Sequence, residues 1–106
     1  MYDLSPLLKV GEIVEILMGR DKRKYAVILR ILNDRYVYIV DGEKKKFDNP
    51  KKKNIRHIRS TGYISKEVIK SLMEDSRVSN AKLRYVLQDY INNQFSEDEN
   101  ERGVSF

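Results

Sequence analysis

Two lysine triplets lie close together in the middle of this 106-residue chain, at Lys44–Lys46 and Lys51–Lys53. A dense cluster of ammonium groups attracts anions, and a phosphate-rich partner suits it well. The pair Asn49-Pro50 separates the triplets. Because a proline disfavours helical geometry at the residue before it, a short extended connector is predicted there. The alternative interpretation is a solvated surface that only aids solubility.

The charge of the chain is divided unevenly along its length. Residues 1–60 carry 15 Lys and Arg against 8 Asp and Glu, whereas residues 61–106 carry 6 against 8. The net charge of +5 therefore combines a basic first part with a slightly acidic second part. A basic field confined to one part of a protein is the electrostatic pattern expected of a nucleic-acid-binding surface.

The first sixty residues contain short apolar segments that alternate with turn residues, which is typical of β-strands. Tyr36–Val40 is β-branched or aromatic throughout and predicts a strand most strongly. Tight turns are predicted at Asn33-Asp34 and Asp41-Gly42, and the second should close that strand. The full set of predicted strands is Val10–Met18, Tyr25–Leu32, Tyr36–Val40, a basic strand Lys44–Phe47, and a last strand or helical turn at Ile55–Ile58. Five short strands within about sixty residues describe a small antiparallel barrel.

Beyond Thr61-Gly62 the apolar residues follow a helical period. Ser65 is predicted to cap a helix that ends near Asp75, and Ser79 or Asn80 to cap a second helix. The apolar stripe of this helical hairpin either covers an open side of the barrel or forms an interface, through residues 65–95, with a partner protein or a second copy of the chain. Insertion of the hairpin into a nucleic-acid groove is disfavoured, because residues 61–106 carry a net negative charge. The predicted division is therefore a barrel at 1–62, a helical hairpin at 63–95 and an acidic, frayed tail at 96–106.

Several function classes are disfavoured by what the chain lacks. No stretch is apolar enough to span a bilayer and no secretion-signal pattern opens the chain, so no membrane association is expected. The absence of Cys removes thiolate metal sites and favours a reducing cytoplasm. The five glycines do not cluster into a phosphate-binding loop, and no nucleophile motif occurs. We therefore expect no enzyme activity, no cofactor, no metal and no small-molecule substrate.

The segment from Val10 to Leu32 resembles a KOW motif, the nucleic-acid-binding element of many ribosomal proteins and of bacterial transcription elongation factors. The resemblance rests on Val10–Ile16, the loop Gly19–Lys22 and the apolar strand Ala26–Ile28. The continuation through residues 36–42 and 49–58 is similar to the large-ribosomal-subunit family called fourteen-e and to small bacterial KOW-domain proteins. This resemblance covers roughly residues 9–59 and implies an SH3-like barrel that binds RNA, on or near ribosomal RNA, through its basic loops.

The basic loops supply the candidate RNA-binding residues, since loops at one end of a small barrel lie close together. These residues are Gly19, Arg20, Lys22, Arg23, Lys24, Lys44, Lys45, Lys46, Lys51, Lys52, Lys53, Asn54, Arg56 and His57. We expect arginines to provide contact geometry and the lysine triplets to provide attraction. One departure from the family is Arg23, because KOW loops commonly place Gly there. If the position requires left-handed backbone, an arginine there costs about 1 kcal/mol, which would favour a different turn of this loop.

The aromatic residues and the single histidine leave alternatives open. Tyr25, Tyr36 and Tyr38 could each stack on an unpaired base, but aromatics in such apolar strands are more often core residues. His57 has no companion ligands for zinc and is assigned either an RNA contact or a structural role. Shape recognition of a structured RNA with little sequence reading is therefore expected. The alternative function is a protein-interaction module of the transcription or translation machinery.

Overall fold

A computed structural model describes the backbone of residues 8–104 and the side chains of residues 8–94. Five strands form one antiparallel sheet in the order β4-β3-β2-β1-β5, and two helices follow the sheet in the chain. The elements are β1 (Glu12–Ile16), β2 (Tyr25–Ile31), β3 (Tyr36–Val40), β4 (Lys51–Asn54), a 3-10 turn (Ile55–His57), β5 (Ile58–Ile64), α1 (Lys66–Asp75) and α2 (Asn80–Val104). The predicted mainly β fold with a helical appendage is confirmed at this level.

Both faces of the sheet are apolar, because successive side chains of a strand point to opposite sides. In β1, for example, Val14 lies in one buried cluster and Ile13 in the other. The inner cluster comprises Val14, Ile16, Ala26, Ile28, Val37, Ile39 and Ile58. The second cluster joins the sheet to the helices and comprises Ile13, Val27, Val40, Val68, Val78, Leu83, Val86 and Leu87. The sheet thus curls over one core and carries the helices on the other.

The predicted strand at Lys44–Phe47 is wrong, and the basic strand is instead β4, Lys51–Asn54. Side-chain oxygen atoms accept hydrogen bonds from the backbone amides of the segment that was predicted to be a strand. The Asp41 carboxylate accepts hydrogen bonds from the Lys45 amide at 2.8 Å, and the Asn80 side chain accepts one from the Phe47 amide at 2.9 Å. These acceptors use amides that a strand would donate to its neighbour. The segment therefore forms a loop between β3 and β4.

The strand ladder is open, with β4 and β5 as its two edges. Hydrogen bonds outside the strand pairing bring the end of β1 close to β4 and to the 3-10 turn that follows it. The Lys53 ammonium donates to the Met18 carbonyl at 3.0 Å, and the Leu17 amide donates to the His57 carbonyl at 2.8 Å. The sheet is therefore strongly curved without being closed by strand pairing, and its assignment as an SH3-like barrel stays a prediction.

The helices begin where the sequence predicts. The Ser65 hydroxyl accepts a hydrogen bond from the Val68 amide at 3.2 Å, and the Ser79 hydroxyl accepts one from the Lys82 amide at 3.0 Å. The apolar stripe of the hairpin packs on the sheet, as the first of the two interpretations expects. Helix α2 continues to Val104, through most of the segment predicted as a frayed tail. The acidic side chains of that segment lie outside the described side chains.

Gly42 is the point where the turn after β3 contacts helix α2. Its φ is +80°, and a Cβ at this position would overlap the Asn80 carbonyl oxygen and lie 3.0 Å from the Leu83 Cβ. The Gly42 carbonyl also accepts a hydrogen bond from the Arg84 guanidinium at 2.7 Å. Only glycine combines this backbone geometry with so close an approach. The turn therefore fixes the helix to the sheet.

We predict that Gly42→Ala lowers the free energy of unfolding by about 3 kcal/mol, from left-handed strain plus overpacking. Gly62→Ala is the matched control, because Gly62 has a φ of +78° and no atom within 4 Å of its Cβ position. Strain alone should cost the control about 1 kcal/mol. Urea unfolding followed by circular dichroism measures both losses. Equal losses would contradict a close contact between this turn and helix α2.

Candidate nucleic-acid interface

Two basic loops lie at the same end of the sheet and meet at one carboxylate. The first loop, residues 17–24, joins β1 to β2, and the second, residues 41–50, joins β3 to β4. Asp21 in the first loop contacts Lys24 at 3.7 Å and Lys44 in the second loop at 3.8 Å. It also forms an ion pair and hydrogen bond with Lys45. Asp21 thus joins the two loops into one surface, which we call the basic end.

Lys45 is the one predicted contact whose side chain points into the protein. The residue is only 5% exposed, and its ammonium lies between Asp21 and Asp41, with the Asp41 carboxylate at 3.8 Å. The hydrogen bond from Lys45 is the main cause that holds the pKa of Asp21 below its usual value. Charges on Lys45, Lys44 and Lys24 act in the same direction, while burial opposes them. Lys45 therefore holds the loops together and presents no ammonium to solvent.

Lys53 connects strand β4 to the same end. Its ammonium donates to the Met18 carbonyl at 3.0 Å and would lie 3.3 Å from a Cβ at Gly19. Burial lowers the pKa of Lys53, and repulsion from Lys51 and Lys45 lowers it further. A partly desolvated ammonium among other cations marks a site where an incoming anion would be favoured.

Most of the remaining predicted residues are accessible from solvent. Lys53, Asn54 and His57 are half-buried. The exposed members are Gly19, Arg20, Lys22, Arg23, Lys24, Lys44, Lys46, Lys51, Lys52 and Arg56. The structure therefore brings the two loops and the start of β4 to one end, where most of their cations can reach a partner.

Arg23 has the left-handed backbone that its place in the loop requires. Its φ is +75°, and its amide donates to the Ile16 carbonyl at 2.7 Å, which closes the first loop onto β1. An arginine in this conformation carries a strain that glycine would not. Strain of this kind is retained most often where the side chain has a role.

The Asn54 side chain and the His57 backbone take part in hydrogen bonds at the 3-10 turn. The Asn54 side chain accepts a hydrogen bond from the Arg56 amide at 2.8 Å and so caps the turn. The His57 carbonyl accepts the Leu17 amide at 2.8 Å, next to the first basic loop. The turn thereby places the exposed Arg56 beside the end of β4.

The acidic residues that organise the site were missed from the sequence, because Asp21 and Asp41 resemble ordinary surface carboxylates there.

The three tyrosines considered for base stacking divide into two groups. Tyr25 packs against the helix-side cluster and contacts Tyr90 edge-on at 5.5 Å between ring centroids. Tyr36 and Tyr38 are half-buried and belong to neither apolar cluster. The alternation of side chains along β3 indicates that these two tyrosines lie outside the inner core, since Val37 and Ile39 occupy the inner face.

Within the described residues, no group of His, Cys, Asp and Glu is arranged to hold a metal ion. In the same part of the chain, no helix is long and apolar enough to cross a membrane.

We predict that Asp21→Asn lowers the free energy of unfolding at pH 7 by about 2 kcal/mol, because Lys45 keeps its charge and only Asp41 remains to pair with it. Asp21 has a lower pKa in the folded protein than in the unfolded chain, so its stabilising effect is present above about pH 5 and is lost on acidification. The difference between wild type and variant should therefore shrink as the pH falls below about 4.

The matched control for this variant is Asp48→Asn, whose carboxylate pairs with Arg77 at 3.4 Å while both side chains are mostly exposed. An exposed pair should contribute less than about 1 kcal/mol. Unfolding in urea at a series of pH values measures both variants. A pH-independent difference between wild type and Asp21→Asn would contradict the assigned ion pair.

Comparison with known proteins places the chain in a family. No family model matches the chain. A curated relative from Bacillus subtilis (strain 168), named "Putative ribosome-binding protein YbzG", is 35% identical to it over 71 residues. The match covers 67% of this chain and 96% of that relative. A basic protein with a five-stranded sheet and a helical hairpin, this chain belongs to the same family as that Bacillus subtilis protein.

Proposed function

We propose that this protein binds structured RNA through its basic end and associates with the ribosome in the cytoplasm. It acts as a binding protein, without catalysis and without a cofactor. The observation that carries the proposal is the convergence of the two basic loops and strand β4 around Asp21, with most of their cations exposed. Phosphate groups spaced along a folded RNA match such a surface better than a single small anion does.

The relative and the sheet topology support the same proposal. The Bacillus subtilis relative is named as a ribosome-binding protein. The curved sheet, with β5 returning to pair with β1 after a 3-10 turn, is compatible with an SH3-like barrel of the KOW type. We include that assignment, and the resemblance to the fourteen-e family, in the proposal. Ribosomal RNA is then the proposed partner.

The proposed contacts differ in their roles. Exposed arginines in the first loop and at the 3-10 turn, Arg20, Arg23 and Arg56, can fork onto phosphates. The exposed lysines of both loops and of β4 act as point charges. Lys45 and Asn54 support the surface from behind, through the Asp21 ion pair and the turn cap.

A protein-interaction module is the second candidate function, and an apolar groove favours it. The groove has a volume of about 650 Å³ and lies between the 3-10 turn and β5. Leu8, Leu17, Ile55 and Ile58 supply its apolar lining. Binding there would depend weakly on salt, whereas binding of RNA to the basic end would depend on it steeply.

We predict that the triple variant Lys22→Gln, Lys46→Gln, Lys51→Gln binds RNA about ten-fold more weakly at moderate salt. If the wild type neutralises about six phosphates, its affinity should fall by about two to three decades between 50 and 200 mM salt. Removing three contacts should make the slope of log affinity against log salt shallower by about 2. Filter binding with a structured ribosomal RNA fragment measures both quantities.

The charge-matched control is Lys9→Gln, Lys66→Gln, Lys70→Gln, which removes three exposed lysines away from the two basic loops. This control should keep the wild-type slope. Sedimentation of lysate through a sucrose gradient tests the ribosome itself: the wild type and control should migrate with the large subunit, and the basic-end variant should shift to the free fraction. Equal binding by the two triple variants would refute the assignment of the basic end.

We predict that Arg23→Gly stabilises the protein by about 0.5 kcal/mol while weakening RNA binding several-fold, because it relieves left-handed strain and removes a cation. Lys22→Gly is the control, since it removes the neighbouring exposed cation at a residue without a positive φ. It should weaken binding similarly but destabilise the fold by about 0.5–1 kcal/mol. Thermal unfolding and RNA titration give the two readouts. Destabilisation by both variants to the same degree would contradict the strain at Arg23.

A further inference from the structure

A polar cleft lies at the end of β3 opposite the second basic loop. It has a volume of about 540 Å³ and is lined by Asp34, Arg35, Tyr36, Asn54, Ile55 and Arg56. This volume falls in the range of about 300–1,000 Å³ that small-molecule sites occupy. The lining combines an aromatic residue with two arginines, and of the six lining residues only Ile55 packs against an apolar core.

The Tyr36 ring is positioned for contact with a ligand and does not serve as core. The residue is half-buried and lies outside both apolar clusters. The Lys52 ammonium lies over the ring, 4.4 Å from its centroid. This cation–π contact holds the ring in place, while the ring still borders the cleft. A fixed aromatic surface beside an open cleft is the geometry on which an unpaired base stacks.

Backbone hydrogen bonds hold the walls of the cleft. The Asn33 side chain accepts the amides of Arg35 at 2.8 Å and Tyr36 at 2.9 Å. The Arg35 carbonyl in turn accepts the Ile55 amide at 2.8 Å, which ties the turn before β3 to the 3-10 turn after β4. The exposed Arg35 and Arg56 are thereby placed on the two turns that border one cleft. The site is preformed, which lowers the entropy that a ligand would have to offset.

We infer that this cleft holds one unpaired nucleotide of the bound RNA, with its base against Tyr36 and its phosphate between Arg35 and Arg56. The inference rests on the proposed function and names what the protein selects within an RNA. Strand β4 connects the two sites, since it runs about 10 Å from Lys51 at the basic end to Asn54 at the cleft. A base inside a duplex cannot reach Tyr36, so the cleft favours RNA that contains a single-stranded loop or bulge.

The test compares two RNA probes of equal length, a hairpin with a mixed-sequence single-stranded loop and a blunt-ended duplex. We expect the wild type to bind the hairpin more tightly than the duplex. Tyr36→Ala should weaken hairpin binding about ten-fold and leave duplex binding unchanged, because stacking on the ring is lost. Tyr36→Phe should retain the preference. Tyr85→Ala, which removes an exposed tyrosine from helix α2, is the control and should behave as wild type.

Arg35→Gln provides a second variant, and its result does not depend on whether Tyr36→Ala folds, because Arg35 is exposed and is not one of the arginines assigned to general phosphate contacts. It should reduce the preference for the hairpin several-fold. Equal affinity of the wild type for both probes, or equal losses on both probes in Tyr36→Ala and Arg35→Gln, would overturn the nucleotide site and leave the proposed RNA binding intact. Failure of the wild type to bind either probe would overturn both.

Discussion

The ion pair between Asp21 and Lys45 is the interaction on which the basic end depends. Ammonium groups crowded at one end of a small protein repel one another. Burial lowers the pKa of Lys53, and the charges on Lys51 and Lys45 lower it further. Asp21 offsets that repulsion for Lys24, Lys44 and Lys45, and it does so between two loops that are separate in sequence. By burying one lysine, the pair allows the others to remain exposed and close together.

The position of these loops depends in turn on a sheet that has two cores. The inner core curves the sheet, so that Lys53 reaches the Met18 carbonyl and β4 comes close to the first loop. The outer core attaches the helical hairpin, and helix α2 holds the second loop through the Asn80 side chain and through Gly42. The hairpin therefore supports the proposed binding surface, although its own charge is unsuited to RNA. It fixes the loop that carries Lys44 and Lys46.

Local patterns in the sequence predicted much of the fold, because they depend on neighbouring residues. The β-branched run Tyr36–Val40 forms β3, and Ser65 caps α1. The errors arise where distant side chains decide the outcome. Lys44–Phe47 is a loop because Asn80, 33 residues away, binds the Phe47 amide. Lys45 looks like its neighbours in sequence, and its ion pair with Asp21, 24 residues away, distinguishes it.

The arrangement of the two proposed contact surfaces separates attraction from selection. The basic end has many exposed cations that act mainly as point charges. It would therefore attract any RNA, with an affinity that falls as the salt concentration rises. The cleft at Tyr36 has few cations, a fixed ring and hydrogen-bonded walls, so what it adds depends on an exposed base and responds less to salt. Because β4 joins the two, an RNA held by its phosphates at Lys51 would have its next nucleotides near the cleft. A folded RNA with a bulge beside a helix satisfies both surfaces at once, and a plain duplex satisfies only the first.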